Sequence, residues 1–231
     1  MAQRVAHEIK NPLTPIQLSA ERIHRLVARS ADSAASRDLL STVEESARLI
    51  DREVATLKTL VDEFSSYARF PASKPVPSSL NAIVEDALNI FNGRLEGISI
   101  QRQLFPGLPP IQADPEQMKR VVINLVDNAA EALGKSALKE VWVRTSLDAD
   151  RDVVEMVVAD SGPGIPPEAK ERLFLPYFST KRRGTGLGLA IVSRIISEHK
   201  GSIRVEENQP AGTKFVIELP VDHAPVPSAE A

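Results

Sequence analysis

The chain has 231 residues, 42% hydrophobic and 26% charged, with 28 Lys and Arg against 31 Asp and Glu for a net charge of −3. That balance excludes wholesale disorder and leaves no global positive field to draw the chain to nucleic acid or an anionic membrane, so neither is expected as a partner. The lack of cysteine excludes disulfides and thiolate-bound metals; no run approaches the ~18 apolar residues of a membrane span, and residues 1–10 lack a signal-peptide core, so the polypeptide is expected in the cytoplasm.

Two long helices open the chain. Ala6, Ile9, Leu13, Ile16, Ala20, Ile23 and Val27 recur at alternating spacings of three and four, the seam of a coiled coil or helical bundle. Leu40, Val43, Ala47, Ile50, Val54, Leu57, Val61, Phe64 and Ala68 repeat it, and residues 29–36 between them are small and polar, as a helix–helix turn requires. One apolar stripe per helix cannot enclose a core, so a homodimeric four-helix bundle is expected, with docking of the hairpin on its own chain as the alternative. Residues 71–79, with Pro71, Pro75 and Pro77, read as a linker. Beyond it the pattern predicts a helix over 80–95, a strand over 98–104 and a helix over 115–133 opened by Asp114 and Pro115. Its expected core face is Met118, Val122, Leu125, Ala129 and Ala132. Strands over 141–147 and 153–159, a helix over 187–199 and strands over 202–206 and 214–219 complete the pattern. The expected class is α+β: a helical hairpin over 1–70, the linker over 71–79, an α/β two-layer sandwich with a mixed or mostly antiparallel sheet over 80–220, and a flexible tail over 221–231.

Four stretches carry chemistry. His7 falls beside the first seam on its outer side, and Asn11, four residues on, shares its face. A neutral imidazole offers one unprotonated nitrogen as a nucleophile, and Glu8 can accept the other ring proton or hold the tautomer. A solvated His-Glu pair is the plain alternative. In the helix over 115–133, Asn124, Asn128 and Glu131 line one strip; asparagine is a poor mid-helix residue, and its amide oxygen suits Mg²⁺, although a polar face in water has the same pattern. The strand over 153–159 delivers Asp160 to a turn containing Gly162 and Gly164, a carboxylate suited to an amino group such as that of adenine, or an ordinary strand-ending turn. Finally Lys181, Arg182 and Arg183 precede Gly184, Thr185, Gly186, Leu187 and Gly188 at a helix start, a setting for a nucleotide triphosphate that matches neither the P-loop nor the dinucleotide fingerprint.

In this order and spacing, HEIKNPLTPI (residues 7–16), NLVDNAAEAL (124–133), DSGPGI (160–165), LFLPYFSTK (173–181) and GTGLGLAIV (184–192) resemble the H, N, G1, F and G2 boxes of bacterial sensor histidine kinases of two-component systems. The resemblance runs from residue 7 to residue 220 and is strongest to the nitrogen-regulation NtrY group. It implies a dimeric phosphoacceptor hairpin joined to an ATP-binding domain of the Bergerat (GHKL) fold. His7 would be phosphorylated by ATP, with Glu8 as the neighbouring base and Asn11 at the position that helps dephosphorylate the partner. Asn128 would bind Mg²⁺ with Asn124 beside it, and Asp160 would bind the adenine amine, with Gly162 and Gly164 admitting the ring. Thr180, Lys181, Arg182 and Arg183 would form a lid fixed by Phe174 and Phe178, and residues Gly184, Thr185, Gly186, Leu187 and Gly188 would cradle the phosphates. The phosphoryl group would pass to an Asp on a response-regulator receiver domain. His199-Lys200-Gly201 stands where the family usually has His-Gly-Gly. Relatives extend the first helix upstream into a signalling module and often a membrane anchor, so either the chain is a fragment of a longer inner-membrane protein or its sensor lies elsewhere. Two other readings compete: a different Bergerat-fold ATPase or serine-directed kinase, and a scaffold that only dimerises and binds a regulator.

Overall fold

Helices α1 (Ala2–Ser30) and α2 (Ser36–Ala68) form the first of the two units into which the chain divides, Met1–Phe70 and Pro71–Ala231. The computed structural model describes residues 2–30, 36–68, 72–136, 138–179 and 186–222, and of residues 2–11, 27–30, 36–40, 59–60, 62–68 and 135 only the backbone. Helix α1 continues through Pro12 and Pro15, which offer no N–H to the carbonyls four residues earlier, those of Glu8 and Asn11. The two helices pack against each other, but not on the whole of the expected seam. Pro12, Ser19 and Ser46 are buried between them, Ile16, Ile23, Val43, Ile50 and Leu57 are half-buried, and Leu13, Ala20, Ala47, Val54 and Val61 are exposed. Small side chains admit close helix approach, so the hairpin closes on its small residues and leaves an apolar stripe on its flank. Among the described residues no helix is long and apolar enough to cross a membrane.

The second unit is built on a five-stranded sheet. Its elements are β1 (Val76–Ser78), α3 (Leu80–Asn89), β2 (Ser99–Leu104), β3 (Ile111–Ala113), α4 (Pro115–Ala132), β4 (Glu140–Asp148), β5 (Val153–Asp160), α5 (Pro167–Lys170), α6 (Gly188–Glu198), β6 (Ser202–Glu207) and β7 (Thr213–Pro220). The order is β2-β4-β5-β7-β6; β2 and β4 are parallel and every other pair antiparallel, so the sheet is mixed. Alternation sends Val141, Val143, Val154, Met156, Val158, Phe215, Ile217 and Leu219 into the core. Helices α3, α4 and α6 meet them with Leu80, Val84, Met118, Val122, Leu125, Ile191 and Ile195, each fully or almost fully buried, at about 1.5–3 kcal/mol per large side chain. On the opposite face the buried Glu218 takes two bonds of 2.7 Å from Arg151 and one of 2.5 Å from Arg204, tying β6, β7 and the β4–β5 turn together.

Helix α4 begins where its sequence predicts: Asp114 Oδ1 accepts the N–H groups of Glu116 and Gln117, both at 3.1 Å, and Pro115 occupies the first turn. At the far end of α6, His199 is buried, its Nδ1 2.7 Å from the Ile195 carbonyl and its Nε2 2.9 Å from Asp114 N. A backbone N–H can only donate and a carbonyl only accept, so Nδ1 carries the proton. Ser73 Oγ lies 3.3 Å from the same Nε2, and Lys74 N–H donates to Asp114 Oδ2. Lys200 adopts the left-handed conformation (φ 59°) that a glycine usually fills there.

Four expectations need correction. The stretch read wholly as linker contains β1, which pairs antiparallel with β3. Neither strand is long enough to show a period. The helix expected over 80–95 ends at Asn89, where the chain passes into turns that culminate in Gly93 and Gly97, both at positive φ. Ala132, at the end of α4, is only half-buried. The tail is paired at its start: Val221 bridges Ile111, and Asp222 accepts from Gln112 Nε2 at 2.7 Å. Residues 223–231 lie outside the described residues.

Candidate functional site

Strand β5 ends in Asp160, which is 3% exposed. Burial pushes its carboxyl above the ordinary range, against the opposing pull of hydrogen bonds from the Gly162 N–H and from the N–H and side chain of Thr213. Oδ1 accepts both N–H groups, at 2.8 Å from Gly162 and 3.2 Å from Thr213. A side chain at 162 has no room: a Cβ there would sit 2.7 Å from Asp160 Oδ1 and 3.4 Å from Ala132 Cβ, against the end of α4. The loop is pinned from below by Ser161, whose hydroxyl donates to Leu138 O at 2.9 Å and accepts from Glu140 N at 3.0 Å. Gly164 lies across from Gly212, its Cβ position 3.3 Å from the Gly212 carbonyl oxygen. The result is a buried carboxyl at the end of β5 with glycine backbone close around it.

A second focus forms where α6 starts. Among the described residues no side chain caps the first turn of α6. A Cβ on Gly188 would lie 3.0 Å from Asn124 Oδ1 and 4.0 Å from Asn128 Nδ2, which places the asparagine strip of α4 directly against this helix end. Asn124 Nδ2 donates back to Arg120 O at 2.8 Å, which leaves its Oδ1 turned toward the α6 start. Asn124 therefore presents a hard amide oxygen beside the helix end, and Asn128, whose amide nitrogen is the nearer atom here, brings its oxygen to the same place when the amide is turned over, a donor set that suits a divalent cation shared with phosphate. Among the described residues no cluster of three or more His, Asp or Glu could hold a metal unaided.

Between these foci the chain from 171 to 179 shapes the approach. Phe174 packs edge to face on Phe215 of β7, ring centroids 6.4 Å apart, and the Arg172 guanidinium lies 4.8 Å over the Phe178 ring. Tyr177 N–H donates to Gly186 O at 2.9 Å. A Cβ on Gly186 (φ +67°) would come within 2.6 Å of the Tyr177 backbone, so only glycine fits there.

The structure thus brings Asp160 and Gly162 together with Gly164, and Asn124 and Asn128 together with Gly188; Leu187 is buried behind the α6 start. Thr180, Lys181, Arg182, Arg183, Gly184 and Thr185 lie outside the described residues, as do the side chains of His7, Glu8 and Asn11, whose backbone is helical in α1. Sequence reasoning passed over Thr213, Asn208 and Ser161. The one available signal was Gly212-Thr213 opening a strand, a glycine where no side chain is needed for strand packing.

Comparison with known proteins bears on both units. The family model of the "His Kinase A (phospho-acceptor) domain" matches residues 1–73, and that of the "Histidine kinase-, DNA gyrase B-, and HSP90-like ATPase" matches residues 113–223. The nitrogen regulation protein NtrY of Azorhizobium caulinodans is 35% identical over 90% of this chain and 26% of its own length. The sensor histidine kinase ZraS of Salmonella typhimurium is 36% identical over 96% of this chain and 45% of its own. Among solved structures, the catalytic domain of histidine kinase ThkA is 34% identical (TM-score 0.57), covering 64% of this chain and 95% of that one. ThkA in complex with response regulator protein TrrA is 29% identical (TM-score 0.73), covering 96% and 61%. The chain spans less than half the length of these two curated relatives.

Proposed function

The chain belongs to the sensor histidine kinases of two-component systems, carrying the phosphoacceptor and ATPase domains of that family, and from this we propose that it is the core of an ATP-dependent, autophosphorylating protein histidine kinase. The observation that carries the proposal is the pairing in the second unit of a buried, glycine-ringed Asp160 with the start of α6 set against Asn124 and Asn128. ATP is the substrate. Asp160 binds the adenine amine, Gly162 and Gly164 leave space for the ring, and the N–H groups from Gly186 to Gly188 meet the phosphates. Thr180, Lys181, Arg182, Arg183, Gly184 and Thr185 complete the cradle and the lid. Asn128, with Asn124 beside it, would hold Mg²⁺, which when bound neutralises phosphate charge.

His7 is the acceptor. The lone pair of one ring nitrogen attacks the γ-phosphorus, the bond from that phosphorus to the β,γ-bridging oxygen breaks, and ADP leaves with the electron pair. Glu8 takes the proton from the other ring nitrogen, so the phosphohistidine is left neutral at the ring. Because His7 and Asp160 lie in different units, the linker must allow the two to meet during turnover.

A response-regulator receiver domain then accepts the phosphoryl group on an aspartate, a partner supported by the ThkA–TrrA complex, and Asn11 serves hydrolysis of that phosphoaspartate. The exposed Leu13, Ala20, Val54 and Val61 stripe is the surface on which a second copy completes a four-helix bundle. Incubation with γ-labelled ATP and Mg²⁺, alongside His7→Ala and Asn128→Ala, tests the reading. Acid-labile label that disappears in both variants is expected; label retained without His7 overturns it.

A further inference from the structure

Strand β7 stays in register with β5 as far as Lys214, which faces Ala159. One residue beyond, the ladder changes partners. The Thr213 N–H does not go to a carbonyl of β5 but to the Asp160 side chain, at Oδ1. The Asp160 carbonyl is thereby deprived of its ladder donor at a buried strand end, where an unsatisfied carbonyl is costly. Gly212 runs so close above it, at φ +121°, that a Cβ there would overlap the carbonyl oxygen. The missing donor comes from the side: Asn208 Nδ2 lies 2.9 Å from Asp160 O. A carbonyl only accepts, so the NH₂ end of the amide must face it. Asn208 is itself anchored, its own N–H donating to Gly212 O at 3.1 Å and closing the β6–β7 loop.

We propose that Asn208 is a positioning residue for nucleotide-base recognition: by satisfying the Asp160 carbonyl it releases the Thr213 N–H to the Asp160 carboxylate and fixes the plane in which that carboxylate meets the base. The proposal rests on the reading of Asp160 as the base-binding residue. A carboxylate held in one plane accepts from the amine of adenine and repels the carbonyl oxygen that guanine carries at the same place. Without Asn208, the Thr213 N–H returns to the backbone carbonyl, and the carboxylate keeps only the Gly162 N–H and the Thr213 side chain to set its plane. Discrimination between the two purines then falls along with affinity for ATP, while the phosphate cradle and the acceptor histidine are untouched.

The test measures KM and kcat of autophosphorylation with ATP and with GTP for the wild-type chain, Asn208→Ala, Asn208→Asp, Asn208→Gln and Asp160→Asn. Loss of one hydrogen bond's support predicts an ATP KM raised about tenfold in Asn208→Ala with kcat within about twofold, and a reduced ATP-to-GTP preference. Asn208→Asp, nearly the same shape but with no N–H to donate, matches Asn208→Ala; Asn208→Gln recovers part of the KM. An Asn208→Asp enzyme with wild-type KM and preference overturns the proposal, as does a fall in kcat at unchanged KM. If Asn208→Ala does not fold, the Asp and Gln variants decide alone. Wild-type ATP binding by Asp160→Asn would remove the base-binding reading itself, whereas loss there with normal Asn208 variants removes only the role of Asn208.

Discussion

Replacing Asp160 by Asn separates what this residue does for binding from what it costs the fold. The amide keeps an oxygen for the N–H groups of Gly162 and Thr213, so the local hydrogen-bond pattern survives. Its NH₂ end, however, replaces an acceptor with a donor, so in the proposed binding mode the adenine amine meets a donor. A hydrogen bond to a charged group is worth about 1.5–3 kcal/mol, so ATP affinity should fall about 10- to 150-fold. Stability moves the other way. Burial raises the folded-state pKa of Asp160 above its ordinary value of 3.8, so the folded protein holds the proton more tightly than the unfolded chain. Stability therefore declines as pH rises from the ordinary carboxylate range through the raised folded value, and above that value the full penalty of a buried charge is present. Asn carries no such penalty. Calorimetric titration with ATP and nucleotide-free thermal unfolding at pH 7 should show weaker binding and a Tm equal to or above wild type. Wild-type affinity, or a Tm several degrees lower, would refute the reasoning.

Gly188→Ala places a methyl group 3.0 Å from Asn124 Oδ1; the added helix propensity of roughly 0.5–1 kcal/mol offsets the crowding, so unfolding by urea should change little while ATP affinity drops about fivefold or more. Glu218, held down to a pKa of about 2 by the Arg151 guanidinium with help from Arg204, contributes stability above the ordinary value of 4.5 that is lost as pH falls toward 2. Glu218→Gln should cost on the order of 1–3 kcal/mol at neutral pH and flatten that acid limb, read from urea midpoints at pH 6 and pH 3. Val54→Glu puts a charge on the exposed stripe of α2; sedimentation should show a monomer with undiminished helix content, and an unchanged dimer would rule out this stripe as the contact.

The long elements were legible because their periods are long enough to see. Residues 153–158 form an apolar run alternately half-buried and buried, and Met118, Val122, Leu125 and Ala129 repeat over about three turns of helix, so their class, and for the helix its inward face, follow from composition and spacing. Strands of three residues, such as Val76–Ser78, carry no period, and prolines at 75 and 77 point equally to an edge strand or a linker. Heptad spacing marked the apolar residues of the hairpin but not which of them face the other helix, because Ser19 and Ser46, small and polar, take the closest approach. For the site, Asp160, Gly162, Asn124 and Asn128 stand out by being costly or unusual where they are. Thr213 and Asn208 do not: each is an ordinary loop or strand residue until the fold carries it, from about fifty positions away, to the end of β5.

In the proposed reaction a nucleotide held at Asp160 delivers its γ-phosphoryl group to His7. Mass spectrometry of peptides from protein incubated with Mg²⁺ and ATP, kept alkaline throughout to preserve phosphohistidine, tests it most directly. One phosphoryl group is expected on the peptide containing His7, and none in Asp160→Asn at low ATP. A phosphoryl group on serine, threonine or another histidine, or full occupancy of His7 in that variant, would contradict it.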